Sequence, residues 1–283
     1  MLTLDDIPAG NRPIVMGILN VTPDSFSDGG TFNSPAAAVE HARRMVADGA
    51  DIIDIGAEST RPGAARVPAA QQITRLRDVL PAAARIGAMV SVDTTLSEVA
   101  AMALEAGASI INDVSAGRDD ERMLPLAASA DCAVVLMHMP GEPATMQRDI
   151  HYDDVVADVR AFLAGRLEAA RSAGVRPERC IIDPGIGFGK RIEHNLELLN
   201  RLAELRSLAR PILVGPSRKR FIGELTAEPE ASRRAAGTIA ACLAAFDRGA
   251  TIFRVHDVRE VRQALSVAAA IRQAPSASHK KTP

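Results

Sequence analysis

Cysteine is scarce and widely spread: Cys132, Cys180 and Cys242 are the only three in 283 residues. They form no C-x-x-C pair, and an odd number does not suit a disulfide framework, so they read as buried, reduced thiols of a cytoplasmic protein. Histidine is equally dispersed, with six scattered residues, no H-E-x-x-H and no Cys/His cluster, which argues against a metal cage built from side chains. There is no G-x-S-x-G, and no cysteine stands at a candidate strand end beside a loop, so nucleophilic catalysis has no support. No apolar run approaches ~18 residues, so no membrane-spanning helix is expected. The opening MLTLDDIPAGNRP has neither a basic nor an apolar leader region, and no signal peptide is expected. The formal net charge is only −2, which does not mark nucleic acid or a membrane surface as the main partner.

What is present is a series. Short apolar runs at 14–19, 52–55, 89–92, 110–111, 133–137, 180–182, 212–214 and 252–255 recur, and most close on a polar residue. The closing residues are Asn20, Glu58 beyond Gly56, Asp93, Asn112 with Asp113, His138, Asp183, Ser217 beyond Gly215, and His256, with Arg254 inside the last run. The runs are β-branched and do not alternate, as in a parallel sheet covered on both faces. Helical stretches lie between them at 35–48, 96–106, 153–173, 232–248 and 258–274. Four of these end at a glycine (Gly49, Gly107, Gly174, Gly249), and Pro35 opens the first. Eight strand–helix repeats with no linker-like interruption predict an α/β chain forming a single-domain (β/α)8 TIM barrel over 14–273. Residues 1–13 are then an N-terminal extension, and the small, polar 274–283 a disordered tail. An open doubly wound sheet is the rival arrangement.

In such barrels the site lies where the strands end. Asn20, Asp93, Asn112, Asp183 and His256 would converge on one mouth. Helix capping explains any one of them alone. Asn20 and Asp183, however, precede long loops rather than helices. GIGFGK at 185–190 is neither a P-loop, since Pro184 and Arg191 break that pattern, nor a dinucleotide fingerprint, since its third glycine comes one residue early. It would let a flat ligand approach the backbone, with Phe188 stacking on it. GPSRKRFIG at 215–223, FRVHD at 253–257 and Arg61 in ESTRPGA add cations around the mouth. An anionic, phosphorylated substrate follows, its phosphates held by Arg forks and a helix N-terminus. The carboxylates need a donor-rich partner, which a purine-like or pterin-like ring supplies. Mg²⁺ shared with a diphosphate needs only one or two oxygen ligands, which Asn20, with Asp24 or Asp28 nearby, could provide.

Taken in order, GILNVTPDSFSDGG, DIIDIGAESTRPGA, SVDT, IINDVSAG, LMHM, DPGIGFGK, VGPSRKRFIG and RVHDV span about residues 14–272 and resemble the dihydropteroate synthase family. The resemblance implies a (β/α)8 barrel, usually a homodimer, and a target of sulfonamides. It implies a transferase that condenses 6-hydroxymethyl-7,8-dihydropterin diphosphate with p-aminobenzoate, using Mg²⁺, to give 7,8-dihydropteroate and pyrophosphate. By motif, Asn20 resembles the metal and diphosphate ligand, and Thr60, Arg254 and His256 the diphosphate site. Asp93, Asn112, Asp183 and Lys219 resemble the pterin-bonding groups, with Met137, Gly187 and Phe188 shaping the pocket. Asp24, Phe26, Asp28, Arg61 and Pro62 would lie on loops that close over the site and receive p-aminobenzoate. Many relatives have Ser where this chain has Arg220, whose side chain or backbone N–H would meet the aminobenzoate carboxylate. Pyrophosphate would leave early, Asp24 or Asp28 would steady the carbocation, and the arylamine would attack without a strong base. A methyltetrahydrofolate methyltransferase domain would need no ESTRPG, SRK and RVHD together. A catalytically silent pterin-binding paralogue should have lost some of these residues, all of which are present.

Overall fold

The computed structural model describes residues 3–9, 12–21, 34–58, 66–141, 146 and 150–274. Eight parallel strands run β1 (Ile14–Asn20), β2 (Ile52–Gly56), β3 (Met89–Asp93), β4 (Ile110–Asp113), β5 (Ala133–Met137), β6 (Cys180–Asp183), β7 (Leu213–Val214) and β8 (Ile252–Val255). Their order is β6-β5-β4-β3-β2-β1-β8-β7, and a bridge between Ile182 and Ile212 joins the two ends. The result is the nearly closed (β/α)8 barrel expected from the sequence, not an open doubly wound sheet.

Helices wrap the outside: α1 (Asp6–Ala9), α2 (Pro35–Ala47), α3 (Ala69–Leu76), α4 (Leu80–Ala83), α5 (Ser97–Glu105), α6 (Met123–Ser129), α7 (Val155–Ser172), α8 (Ile192–Asn200), α9 (Arg220–Thr226), α10 (Ala235–Asp247) and α11 (Val258–Gln273). α3, α4, α6 and α9, of four to eight residues, are too short to carry a clear period in sequence, and α8 also falls outside the expected stretches. The expected 232–248 helix starts later. Residues Ala231–Arg233 form a 3₁₀ turn, and Arg234 at the junction donates to the carbonyls of Glu228 and Arg218. The expected 153–173 helix begins at Val155 because the Asp154 carboxylate caps the Val156 and Ala157 amides. Among the described residues, no helix is long and apolar enough to cross a membrane.

The pleat decides what faces where, because alternate strand residues share a face. One parity (Val15, Ile53, Ile55, Val90, Val92, Ile111, Val134, Leu136, Ile182, Val214, Phe253, Val255) packs outward into the helix layer. The other parity points inward. Its lower members, Ile14, Met16, Ile52, Met89, Ile110, Ala133, Val135, Ile181, Leu213 and Ile252, form a separate apolar cluster that fills the barrel floor. Ile7 of α1 joins that cluster and is 2% exposed, with Leu4 packed against it. The segment before β1 therefore plugs the bottom of the barrel. Higher up, the same parity becomes polar: Asp54, Asp93, Asn112, Asp183, Arg254. All three cysteines are free and buried, and burial pushes the Cys132 and Cys242 thiols up to about 12.

Ile7 tests the plug. Ile7→Ala should cost about 2–4 kcal/mol through the cavity it leaves at the floor, read as a lower urea midpoint with unchanged circular dichroism.

Candidate active site

The inward parity brings polar residues of β2, β3, β4, β6 and β8 to the mouth of the barrel. Register pairs Asn20 with Gly56, Gly56 with Asp93 and Asp93 with Asn112, so β1 to β4 present one rung of the mouth. One step lower, Asp54 and Ser91 are paired, and both are fully buried. Arg254 reaches across from β8. Its Nε donates to Asp54 Oδ2 at 2.6 Å and its Nη2 to Asp93 Oδ2 at 2.7 Å. Asn112 Nδ2 donates to the same Asp54 oxygen at 3.0 Å. Asp93, Asn112 and Arg254 are thus tied to one another across the barrel, not spent as helix caps. Sequence reasoning misses Asp54. A lone carboxylate inside the otherwise apolar run IIDIG is the available signal, since such a group must be paired.

One guanidinium serving two buried carboxylates leaves the cluster short of positive charge. Burial raises Asp93 to about 7, with Arg254 opposing the rise and Asp54 adding to it. Among the described residues, Asp54 Oδ1 and Ser91 Oγ have no hydrogen-bond partner. This layer is rich in acceptors and suits a ligand rich in N–H donors.

The wall is built by the loops after β5 and β6. Asp183 Oδ1 accepts from the Gly185 amide at 2.7 Å, bending the chain straight after the strand, and burial raises this carboxyl above its usual range. Gly185 has φ +68, and a Cβ there would overlap the His138 carbonyl oxygen, so glycine is required. The Gly187 amide donates to Asn195 Oδ1 at 2.6 Å. Met137 packs with Val114, Met139 and Met146, and Phe188 lies against this group.

Lys219 enters from the SRK loop. Arg218 has φ 58, a left-handed residue whose amide donates to Thr238 Oγ1 at 3.0 Å and whose side chain pairs with Asp257. That turn aims Lys219 inward, where its Nζ lies 4.2 Å from the Phe188 ring centre and donates to the Ile186 carbonyl. Burial lowers Lys219 to about 7, with Asp183 opposing. His256 follows β8. Its amide donates to Ser217 Oγ at 3.1 Å, and that oxygen lies 3.0 Å from His256 Nδ1. Ser217 thus holds both the backbone and the imidazole of His256, fixing the ring at the strand end.

Arg220 does not turn into this mouth. It opens α9, and its side chain is 90% exposed and paired with Glu224. Asn20 ends β1, exposed at the rim. Asp24, Phe26, Asp28, Thr60, Arg61 and Pro62 lie outside the described residues. Among the described residues, no group of three or more His, Cys, Asp or Glu is placed to hold a metal ion.

A barrel whose mouth combines a buried carboxylate–guanidinium floor, an apolar wall and a lysine over an aromatic ring is one built for a flat, donor-rich ligand. Comparison gives this class a name. A family described as "Pterin binding enzyme" matches residues 16–256, and the chain belongs to that family. Within it the chain groups with the dihydropteroate synthases, which are transferases of folate synthesis. A dihydropteroate synthase of Synechocystis sp. is 46% identical over 263 residues, covering 93% of this chain and 91% of the relative. The Xanthomonas albilineans dihydropteroate synthase solved with 4-aminobenzoic acid superposes with a TM-score of 0.88 at 48% identity, covering 97% of this chain and 96% of that one. The same enzyme in complex with 7,8-dihydropteroate gives a TM-score of 0.85 at 45% identity, covering 97% of each chain.

The raised Asp93 carboxyl predicts a pH signature in the ligand-free protein. Its folded value of about 7 exceeds the ordinary 3.8, so between them the native state holds more protons than the unfolded state. Stability contributed here therefore falls as pH rises from about 4 to about 7, by at most about 1.4 kcal/mol per pH unit. Urea unfolding across this window should show that decline in the parent chain and a flatter profile in Asp93→Asn.

Proposed function

We propose that this mouth condenses 6-hydroxymethyl-7,8-dihydropterin diphosphate with p-aminobenzoate, releasing pyrophosphate and 7,8-dihydropteroate. The observation that carries the reading is the Asp54–Arg254–Asp93–Asn112 cluster at the base of the pocket. A pterin ring offers the N–H donors that this acceptor-rich layer calls for, and its flat faces suit Phe188 and Met137. Asp183 and Lys219 bracket the opposite edge, the carboxylate accepting from a ring N–H and the ammonium donating to a ring acceptor. The relatives solved with aminobenzoate and with dihydropteroate support the two ligand classes.

His256, steadied by Ser217, stands just past the end of β8, where its imidazole would meet a diphosphate attached to the ring's side arm. Arg254 adds its positive charge from below. Developing negative charge on the leaving group is stabilised by such preplaced donors. The C–O bond to the diphosphate breaks early, the electron-rich ring spreads the positive charge left on the methylene carbon, and the arylamine nitrogen then forms the new C–N bond. The amine loses its proton after attack, so no strong base is required. Asp24 or Asp28 would oppose the cation, and Thr60, Arg61, Pro62 and Phe26 would complete the diphosphate and aminobenzoate sites. Arg220, whose side chain pairs outward with Glu224, would meet the aminobenzoate carboxylate through its backbone N–H.

Mg²⁺ is the cofactor of this reading. Asn20 supplies a hard amide oxygen at the rim, which fits a small cation that takes one or two protein ligands and fills the rest of its shell from phosphate and water. Bound there, it would neutralise diphosphate charge. We also place the chain in the cytoplasm as a homodimer. The three reduced thiols accord with the compartment, and Val267 and Ile271, 61% and 70% exposed on α11, offer apolar surface for a second subunit.

The test is pyrophosphate release from the pterin diphosphate with Mg²⁺, with and without p-aminobenzoate. Release coupled to dihydropteroate formation is expected. Pterin binding without release would favour a silent paralogue or a methyl-transfer domain instead. Asp183→Ala should abolish measurable pterin binding in a fluorescence titration. Asp28→Ala should lower kcat about 100-fold, the scale of one lost electrostatic stabiliser, and leave pterin affinity within a few-fold.

A further inference from the structure

Two buried titratable groups take no part in the scheme above. His138 follows Met137 at the end of β5, and Lys190 follows the GIGFG loop after β6; both are buried. Lys190 Nζ lies 2.9 Å from His138 Nδ1, 3.0 Å from the Phe188 carbonyl and 3.5 Å from the His138 carbonyl. Three polar atoms from two loops thus converge on one buried amine, whose pKa burial pushes well below that of an ordinary lysine, with Asp183 opposing. We propose that His138 and Lys190 act as one positioning unit that fixes the spacing of the pocket walls Met137 and Phe188, and thereby sets affinity for the pterin ring.

Each partner is bonded to one wall. His138 is joined to Met137 by the chain, and its own amide donates to the Asp183 carbonyl at 2.9 Å, extending the β5–β6 ladder one step beyond the strand. Its ring meets Phe162 edge-on at 4.9 Å between centres, a contact that supports its orientation toward Lys190. Lys190 holds the Phe188 carbonyl directly. The Gly189 carbonyl between them accepts from Tyr152 Oη at 2.9 Å, and Asn195 Nδ2 donates to the Arg191 carbonyl at 2.7 Å. Phe188 is therefore held from two sides, by Lys190 through its carbonyl and by Lys219 over its ring.

The chemistry fits a spacer rather than a reacting group. Burial, with Lys190 adjacent, holds His138 down to about 2, so it is a neutral imidazole that shares a hydrogen bond with the Lys190 amine through Nδ1. Burying a lysine is costly, and an apolar side chain of similar length would pack there without that cost. Lysine supplies what methionine lacks, a directed bond to each of two loops.

The proposal rests on the pterin reading, and the experiment separates the two. The probe is 6-hydroxymethylpterin, titrated by fluorescence without the arylamine, alongside the KM for p-aminobenzoate. Lys190→Met and His138→Leu should each weaken pterin binding about tenfold, the scale of one lost buried hydrogen bond, with the aminobenzoate KM within twofold. His138→Asn, which keeps an acceptor near Nδ1, should stay within threefold of the parent. The double variant should bind no worse than either single one, because the bond is lost once. Unchanged pterin affinity in Lys190→Met, or equal losses for both substrates with His138→Asn as damaged as His138→Leu, overturns the proposal and leaves a merely structural pair. Should Lys190→Met not fold, the His138 pair decides alone. A parent chain that binds no pterin overturns the functional reading itself.

Discussion

One guanidinium in the middle of the barrel organises the rest of the site. Arg254 spans from β8 to β2 and β3, joining residues 200 and 161 positions away in the chain. The bonds fix Asp54 and Asp93 in place, and Asn112 is fixed in turn through Asp54. Because two carboxylates share one cation in a dry interior, the cluster is poised to accept donors from above. The apolar floor below it matters for the same reason: its packed side chains surround these bonds with a medium where charge is strongly felt.

The upper loops answer to this core. Asp183 turns the β6 loop, glycine at 185 lets that loop pass beside the His138 carbonyl, and the left-handed Arg218 brings Lys219 back to meet it. Each is a local backbone solution to one demand, which is to place a polar tip or an aromatic face over a rigid base without leaving a buried group unpaired.

Much of this is legible in the order of the residues. Eight apolar runs, most of them closed by a polar residue, imply the barrel and its mouth, because strand ends converge once the sheet closes. Asp93, Asn112, Asp183, Arg254 and His256 fall where that logic places them. Asp54 escapes it, since its role depends on a partner two hundred residues distant, and no local period reveals such a pairing. The Lys190–His138 contact is hidden for the same reason, with its members in different loops. Short helices such as α3 and α6 are missed because one or two turns cannot display a 3.6-residue rhythm. The outward turn of Arg220 depends on Glu224 one helical turn ahead, a pairing visible in the sequence and outweighed there by the motif around it.

The plugged floor lies directly against the polar mouth. On β2, Ile52 belongs to the floor and Asp54 to the chemistry, with one residue between them. The same division recurs on β8 between Ile252 and Arg254. A substitution in the floor is thus felt at the mouth across a single intervening residue, so foldability and ligand preference are traded against each other along the same strand.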